Sequence, residues 1–105
     1  LSIHSDGLDN YNAGRIGSQQ GMLNLNIGTS LLNNSQQGLL QAATDLNIES
    51  GSIDNSHTLS AAQSNGIKAG GKLQLISQQS LNNQQGAIVA GKTLSIHSTE
   101  VNNDQ

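Results

Sequence analysis

A short pattern of aliphatic residues returns five times along the 105-residue chain, and this repeat constrains the fold more than any other feature. Each copy begins with Leu-x-Ile or Leu-x-Leu. The first two columns of the repeat are Leu1, Leu25, Leu46, Leu73 and Leu94, followed two residues later by Ile3, Ile27, Ile48, Leu75 and Ile96. Successive copies are 24, 21, 27 and 21 residues apart. A repeat of this length indicates a solenoid, with a basic unit of 21 residues and additions at the turns.

Within each copy the aliphatic residues are spaced by two, which is the period of a strand and not of a helix. Gly, Asn and Ser between the aliphatic clusters are typical of turns. We therefore predict an all-β fold, a parallel β-helix of about 4.5 coils with three short strands per coil. The coils stack ~4.8 Å apart around a narrow aliphatic core. The chain would form one unit over residues 1–105, with coils starting near residues 1, 25, 46, 73 and 94.

Two polar columns accompany the aliphatic ones. Each member of the first lies two residues after an inward aliphatic residue, so its amide is expected to point inward and to hydrogen-bond from coil to coil. Its members are Asn10, Asn34, Asn55, Asn83 and Asn103. The second column, Gly14, Gly38, Asn65 and Gly86, precedes the last aliphatic cluster of each copy. We expect a positive φ there, which Gly accepts freely and Asn tolerates.

Composition narrows the alternatives. Only 33% of the residues are hydrophobic and Tyr11 is the single aromatic residue, which excludes a broad globular core. Asn, Gln, Ser and Gly make up about half of the chain, a bias that disordered segments share, but the regular columns favour the solenoid. The net charge is −3 and the four basic residues are scattered, so nucleic acid is not an expected partner. No apolar run approaches the ~20 residues that membrane insertion requires.

The run LNN at residues 32–34, the run LNNQQGAIVAG at 81–91 and the run LSI at 94–96 resemble the haemagglutinin repeats of filamentous haemagglutinins and contact-dependent growth-inhibition exoproteins. The resemblance covers essentially the whole chain. It implies a right-handed β-helical filament on the bacterial cell surface, secreted through an outer-membrane partner transporter. The secretion domain of that family carries Asn-Pro motifs, and this chain has no Pro, so the resemblance implies a piece of the repeat region.

These features lead to one main functional hypothesis and two alternatives. The main hypothesis is a structural and adhesive segment of a surface filament, without enzymatic activity and without a cofactor. The first alternative is a receptor-binding stretch of a toxin-delivery exoprotein, which would contact a host-cell or bacterial receptor or a glycan. The remote alternative is a β-helical polysaccharide lyase or hydrolase. Because the pattern is incomplete at both ends, we also expect the segment to self-associate end to end.

The connection after Asn55 is the one irregularity that could serve recognition. Nine residues separate Asn55 from Asn65, whereas the other copies have two or three residues at this place. Loops on a rigid scaffold often bind partners, although an insertion in a solenoid is also a common neutral variation. The candidate partner-binding residues are Ser56, His57, Thr58, Leu59, Ser60, Gln63 and Ser64.

The titratable residues give little support for a catalytic or metal site. Asp9 and Asp54 share a column two coils apart, roughly 10 Å by coil spacing, which is near the upper limit for an inverting carboxylate pair. Capping of local turns explains their position equally well. His4 and His97 share a column four coils apart, roughly 19 Å, which is too far for a common metal ion. His57 stands alone in the long connection, so we expect no metal site.

Overall fold

The computed structural model describes residues 1–59 and 65–103, and these residues form a parallel β-helix. The predicted fold is confirmed. The strands are β1 (Ser2–His4), β2 (Leu8–Asp9), β3 (Arg15–Ser18), β4 (Leu23–Asn26), β5 (Leu31–Asn33), β6 (Leu39–Ala42), β7 (Leu46–Asp54), β8 (Gly66–Ala69), β9 (Lys72–Asn82), β10 (Ile88–Ala90) and β11 (Thr93–Asn102). None of the described residues belongs to a helix that could span a membrane.

The strands stack into two parallel sheets. In the larger sheet, β4 lies between β1 and β7, β9 lies between β7 and β11, and β2 and β5 continue the second half of β7 toward the first coil. The smaller sheet has the order β10-β8-β6-β3. Every strand therefore pairs with the equivalent segment one coil away, as a solenoid requires.

The strands of the larger sheet differ from the three short strands per coil that the sequence predicts. In the later coils the first two segments merge into the single strands β7, β9 and β11, which have 9, 11 and 10 residues. The first two coils keep separate segments because Gly7, with φ of 116°, and Gly28, with φ of 67°, interrupt the strand at the corner. Later corners are accommodated by register shifts between Ser50 and Ser52 and between Ser98 and Glu100.

The core is one narrow aliphatic column, as the composition requires. In the third coil the predicted inward residues Leu46, Ile48, Ile53, Ile67 and Ala69 are at most 5% exposed, which confirms their assignment. They belong to a continuous cluster that runs through the stack. Each inward side chain packs on its equivalent one coil away, so a chain with few hydrophobic residues still buries nearly all of its central ones.

The register of the second coil corrects the predicted repeat. Ile3 pairs with Leu25, and Leu25 pairs with Ile48. The residue equivalent to Leu46 in the second coil is therefore Leu23 and not Leu25, and Ile27 lies beside Ser50 at the corner. A shift of two residues keeps every side chain on the same face, so the strand period alone cannot distinguish the two registers. The extra residues of this coil lie at the corner after Ile27, where the repeat pattern did not predict them.

Candidate functional site

The predicted inward column of asparagines is confirmed, and it forms a continuous chain of side-chain hydrogen bonds, called here the asparagine ladder. Each Nδ2 donates to the Oδ1 of the asparagine in the next coil. The distances are 2.8 Å from Asn10 to Asn34, 2.9 Å from Asn34 to Asn55, 2.7 Å from Asn55 to Asn83 and 2.7 Å from Asn83 to Asn103. The ladder links every coil to the next at the turn between the second and third strand positions.

The same amide groups also bind backbone carbonyls. Asn10 Nδ2 donates to the carbonyl of Leu39 at 2.9 Å, and Asn55 Nδ2 donates to that of Ala87 at 2.9 Å. Asn34 Nδ2 reaches the carbonyl of Gly66 at 3.2 Å. Because a carbonyl can only accept, these contacts fix which side-chain atom is the nitrogen. Leu39 and Gly66 are the first residues of β6 and β8, so these bonds also tie the asparagine column to the start of the following strands.

Asn34→Ala is expected to lower the free energy of unfolding by about 3 kcal/mol, because it orphans buried polar groups in two coils. Asn34 is fully buried and bonded on both sides. The matched control is Asn103→Ala, which removes one ladder bond at an exposed position. Chemical denaturation of both variants checks this expectation. Equal losses of stability would mean that the ladder contributes nothing beyond its end contact.

The glycine column occupies the predicted place, but the reason given for it was wrong. Positive φ among the described glycines occurs at Gly7, Gly28 and Gly66, and the column glycines Gly14, Gly38 and Gly86 do not have it. Close approach explains them instead. A Cβ on Gly38 would lie 2.4 Å from Asn34 Oδ1, and one on Gly86 would lie 2.2 Å from the Oδ1 of Asn83. At Gly14, Gly38 and Gly86 glycine is needed because the ladder asparagine of the same coil occupies the space of a side chain.

Residues other than glycine carry the positive φ of this turn. They lie after the ladder asparagine and before the column residue of their coil, which is Gly14, Gly38, Asn65 or Gly86. They are Asn12, Ala13, Gln36, Gln37, His57 and Gln85, with φ from 53° to 70°. The side chains at these positions are exposed, and each residue carries the modest energetic cost of a positive φ in a residue other than glycine. Asn12 and His57 belong to residue types that are enriched in that conformation. The Gln and Ala residues do not, so residue type alone does not predict this turn.

The two aspartates of the candidate carboxylate pair lie in the predicted column, where Asp9 pairs with Asn33 and Asn33 pairs with Asp54. Asp54 Oδ1 accepts a hydrogen bond from the backbone N–H of Ser56 at 3.0 Å. Asn33 and Asn82 make the equivalent bond in their own coils at 3.1 Å. Asp54 thus does the same turn-capping work as its neutral neighbours. Because an amide makes the same hydrogen bond in the neighbouring coils, this position does not require a carboxyl group.

The histidines are far apart in the stack. His4 pairs with Asn26, and His97 pairs with Ile76, so Asn26, Glu49 and Ile76 separate the two imidazoles in one outward column. His57 lies in the third-coil turn. Across residues 1–59 and 65–103, no three side chains of His, Asp or Glu come together in a way that could hold a metal ion.

The long third-coil connection is partly built into the fold. Thr58 is fully buried, and its hydroxyl donates to the carbonyl of Asn55 at 3.1 Å and accepts from the N–H of Ala87 at 3.0 Å. Ser56 is also buried. Ser56 and Thr58 are therefore not available as partner-binding residues, which corrects that part of the prediction. Among the described candidates, His57 and Leu59 are exposed.

The remaining candidates of this connection, Ser60, Gln63 and Ser64, lie outside the described residues.

Thr58 has a definite structural role. The turn of the next coil is one residue shorter than those of the first two coils. The Thr58 hydroxyl supplies the acceptor that the N–H of Ala87 requires.

A serine column at the corner of the larger sheet was not predicted from the sequence. Ser5 Oγ donates to the carbonyl of Gly7 at 2.7 Å, Ser50 Oγ to that of Ser52 at 3.0 Å, and Ser98 Oγ to that of Glu100 at 2.8 Å. Ser77 makes a similar bond to Ser80 at 2.7 Å. The signal was present, because all four serines stand two residues after the second aliphatic column of their coil.

The outer face of the larger sheet carries a shallow polar groove of about 290 Å³, called here the outer groove. Its outward side chains are Ser2, His4, Asn24, Asn26, Asn47, Glu49, Gln74 and Ile76. Asn47 Nδ2 donates to Asn24 Oδ1 at 2.9 Å, so the amides along one side of the groove are partly linked to each other. The groove offers hydrogen-bonding groups to a polar partner and lacks an aromatic platform.

Comparison of the chain with family models, with curated proteins and with solved structures found no match.

Proposed function

We propose that this chain is a structural segment of a bacterial surface filament, in which it acts as a rigid spacer. The observation that carries the proposal is the unbroken asparagine ladder beside a filled aliphatic core. Both features connect successive coils along the stacking direction, so a load along that direction is shared by hydrogen bonds and packing in every coil. The likeness of the repeat to haemagglutinin repeats supports the same role.

The same likeness supports the proposals on location and secretion. A filament of this kind is secreted and held at the cell surface, and its parent protein is exported by an outer-membrane partner transporter. Adhesion or toxin delivery then belongs to the parent protein, whereas the repeat segment sets the distance between the cell and the tip.

A binding experiment tests the spacer role. The full chain, immobilised on a surface, is expected to show no saturable binding to glycan arrays or to bacterial and animal cells. The outer groove is open and shallow, and the described carboxylates and histidines do not cluster. Saturable binding that survives changes of salt concentration would contradict a pure spacer.

Receptor binding is the second candidate, and the exposed side chains of His57 and Leu59 favour it. Leu59 is 58% exposed at the longest connection of the chain. If the chain binds a cell or a glycan, Leu59→Ala should weaken that binding at least about tenfold, as expected for an apolar side chain that becomes buried in the complex. The matched control is Leu31→Ala, because Leu31 is 45% exposed at a different corner. Equal effects of the two substitutions would remove the connection as the contact site.

A lack of polysaccharide turnover follows from the aspartate column. We expect no hydrolysis or lyase cleavage of polygalacturonate by the chain, measured as reducing ends and as unsaturated products. Asp54→Asn should keep the cap on Ser56, because Asn33 and Asn82 make the same bond in their coils. Turnover that disappears in Asp54→Asn would establish a catalytic carboxylate and overturn the spacer proposal.

A further inference from the structure

Asn65 is the only asparagine of the chain that is followed by a glycine. In an unfolded chain this is the most reactive setting for an asparagine, because glycine leaves the next backbone nitrogen unhindered and free to approach the side-chain amide. The nitrogen attacks the amide carbon, and the amide nitrogen leaves as ammonia. Gly66 therefore makes Asn65 the asparagine most prone to spontaneous deamidation when the chain is unfolded.

The fold itself requires glycine at position 66. Gly66 is the first residue of β8 and has a φ of 105°, a conformation that residues with side chains rarely adopt. A Cβ there would also lie 2.2 Å from the carbonyl oxygen of Ala87 in the next coil. The equivalent residues of the first two coils, Arg15 and Leu39, carry side chains and follow a glycine. The third coil thus combines a required glycine with a preceding asparagine.

The folded chain holds this pair in an unreactive arrangement. Asn65 is 3% exposed, and Gly66 is buried. The N–H of Gly66, whose nitrogen would attack, donates to the carbonyl of Gly38 at 2.7 Å. The carbonyl of Gly66 accepts from Asn34 Nδ2 at 3.2 Å, so the residue is bonded to the second coil on both sides of its Cα. Cyclisation needs a nitrogen that can lose its proton and a backbone that can rotate, and this packing opposes both.

We propose that Asn65 is a modification site of the unfolded chain, where spontaneous deamidation prevents a return to the fold. The nitrogen of Gly66 loses its proton and bonds to Cγ of Asn65, ammonia leaves, and a cyclic succinimide remains. Water then opens the ring at either of its two carbonyl carbons. One product has aspartate at position 65. The other has isoaspartate, in which the main chain runs through the former side chain.

Both products conflict with the place that Asn65 occupies. Aspartate puts a negative charge where a neutral amide is 3% exposed, which raises the cost of burial. Isoaspartate adds a carbon atom to the main chain immediately before β8. Gly66 then cannot keep both its register with Leu39 and its bonds to Gly38 and Asn34. The close approach of the next coil at Gly66 leaves no space for the added atom.

Parallel incubation of the folded chain and of the chain unfolded in guanidinium chloride, both at mildly alkaline pH, tests the site. Peptide mass spectrometry locates each deamidated asparagine. Asn65 should react first in the unfolded chain and at least about a hundredfold more slowly in the folded chain, since only rare openings expose it. Equal rates in the two states, or earlier reaction of another asparagine in the unfolded chain, would overturn the proposal.

Gly66→Ala is the matched control for the reaction, and it is measured only in denaturant, so its ability to fold does not matter. The added methyl group hinders the attacking nitrogen and should slow deamidation of Asn65 at least about tenfold. An unchanged rate would show that Gly66 does not determine the reactivity of Asn65.

Refolding tests the consequence of the modification. Samples taken during incubation in denaturant are returned to buffer, and the folded fraction is measured by circular dichroism. This fraction should fall in proportion to the deamidation of Asn65, and the modified chains should separate by size with the unfolded protein. Asn65→Gly, treated in the same way, should refold to the same extent at every time because it lacks the reactive amide. Modified chains in the folded fraction, or an equal loss of refolding in Asn65→Gly, would overturn the proposal.

Discussion

Ile48→Asp is expected to unfold the chain, with a loss of about 5 kcal/mol or more in the free energy of unfolding. Ile48 is 1% exposed and pairs with Leu25 on one side and Leu75 on the other. A carboxylate there lies among aliphatic side chains without a partner, and the side chain that filled the coil is lost as well. Since a domain of this size has a total stability of about 5–15 kcal/mol, such a loss leaves little folded protein.

The matched control for this substitution is Asn47→Asp in the adjacent position of the same strand. Asn47 points outward and is only partly buried, so the same carboxylate stays in contact with water. The bond that Asn47 donates to Asn24 is lost, which should cost less than about 1 kcal/mol. Circular dichroism and thermal melting compare the two variants. An unchanged melting temperature for Ile48→Asp would show that β7 does not face the core as described.

Gly38→Val is expected to cost about 4 kcal/mol, because the new side chain collides with the asparagine ladder. An added Cβ would lie 2.4 Å from both the carbonyl oxygen of Asn10 and Asn34 Oδ1. The backbone at Gly38 does not have a positive φ, so the cost comes from lost space and broken ladder bonds. Strain in the backbone is not the cause.

Gly17→Val is the control for the glycine prediction. Gly17 lies in β3, and an added Cβ would meet its nearest neighbour, the carbonyl oxygen of Gln41, at 3.6 Å, which is ordinary contact. Valine suits a strand, so the change in stability should stay within about 1 kcal/mol. Asn65→Gly should also be mild, because Asn65 already has a side chain at the equivalent position. Denaturation curves in which Gly17→Val or Asn65→Gly loses as much stability as Gly38→Val would contradict the close-approach explanation.

Much of the fold could be predicted from the sequence because every coil of a solenoid repeats the same pattern of strands and turns. The spacing of two residues between aliphatic positions indicated strands, and the return of the pattern showed which strands stack. The inward asparagines could be predicted in the same way, since Asn34 and Asn55 follow inward aliphatic residues at the strand period. Their partners are equivalents in the next coil, so the ladder needed no three-dimensional information beyond the repeat.

Other features depend on space and on backbone conformation, which the pattern does not encode. The second coil offers three alternating aliphatic residues, Leu23, Leu25 and Ile27, and only the pairing with β1 and β7 selects the register. The sequence could not show whether Gly38 is required by a positive φ or by close approach of other atoms, because both requirements select glycine. Thr58 appeared to be part of an insertion, and its buried bond to Ala87 becomes visible only when two coils are placed side by side.

The length of chain between ladder partners has a consequence for folding kinetics. Successive ladder bonds join residues that are 24, 21, 28 and 20 positions apart, however many coils lie below them. The entropy lost when a loop closes depends on loop length, so each added coil costs about the same as the one before it. Formation of the first pair of coils is then the slow step, and later coils grow on an existing template. A longer filament of such repeats would take longer to complete in proportion to its length, without a higher barrier at each addition.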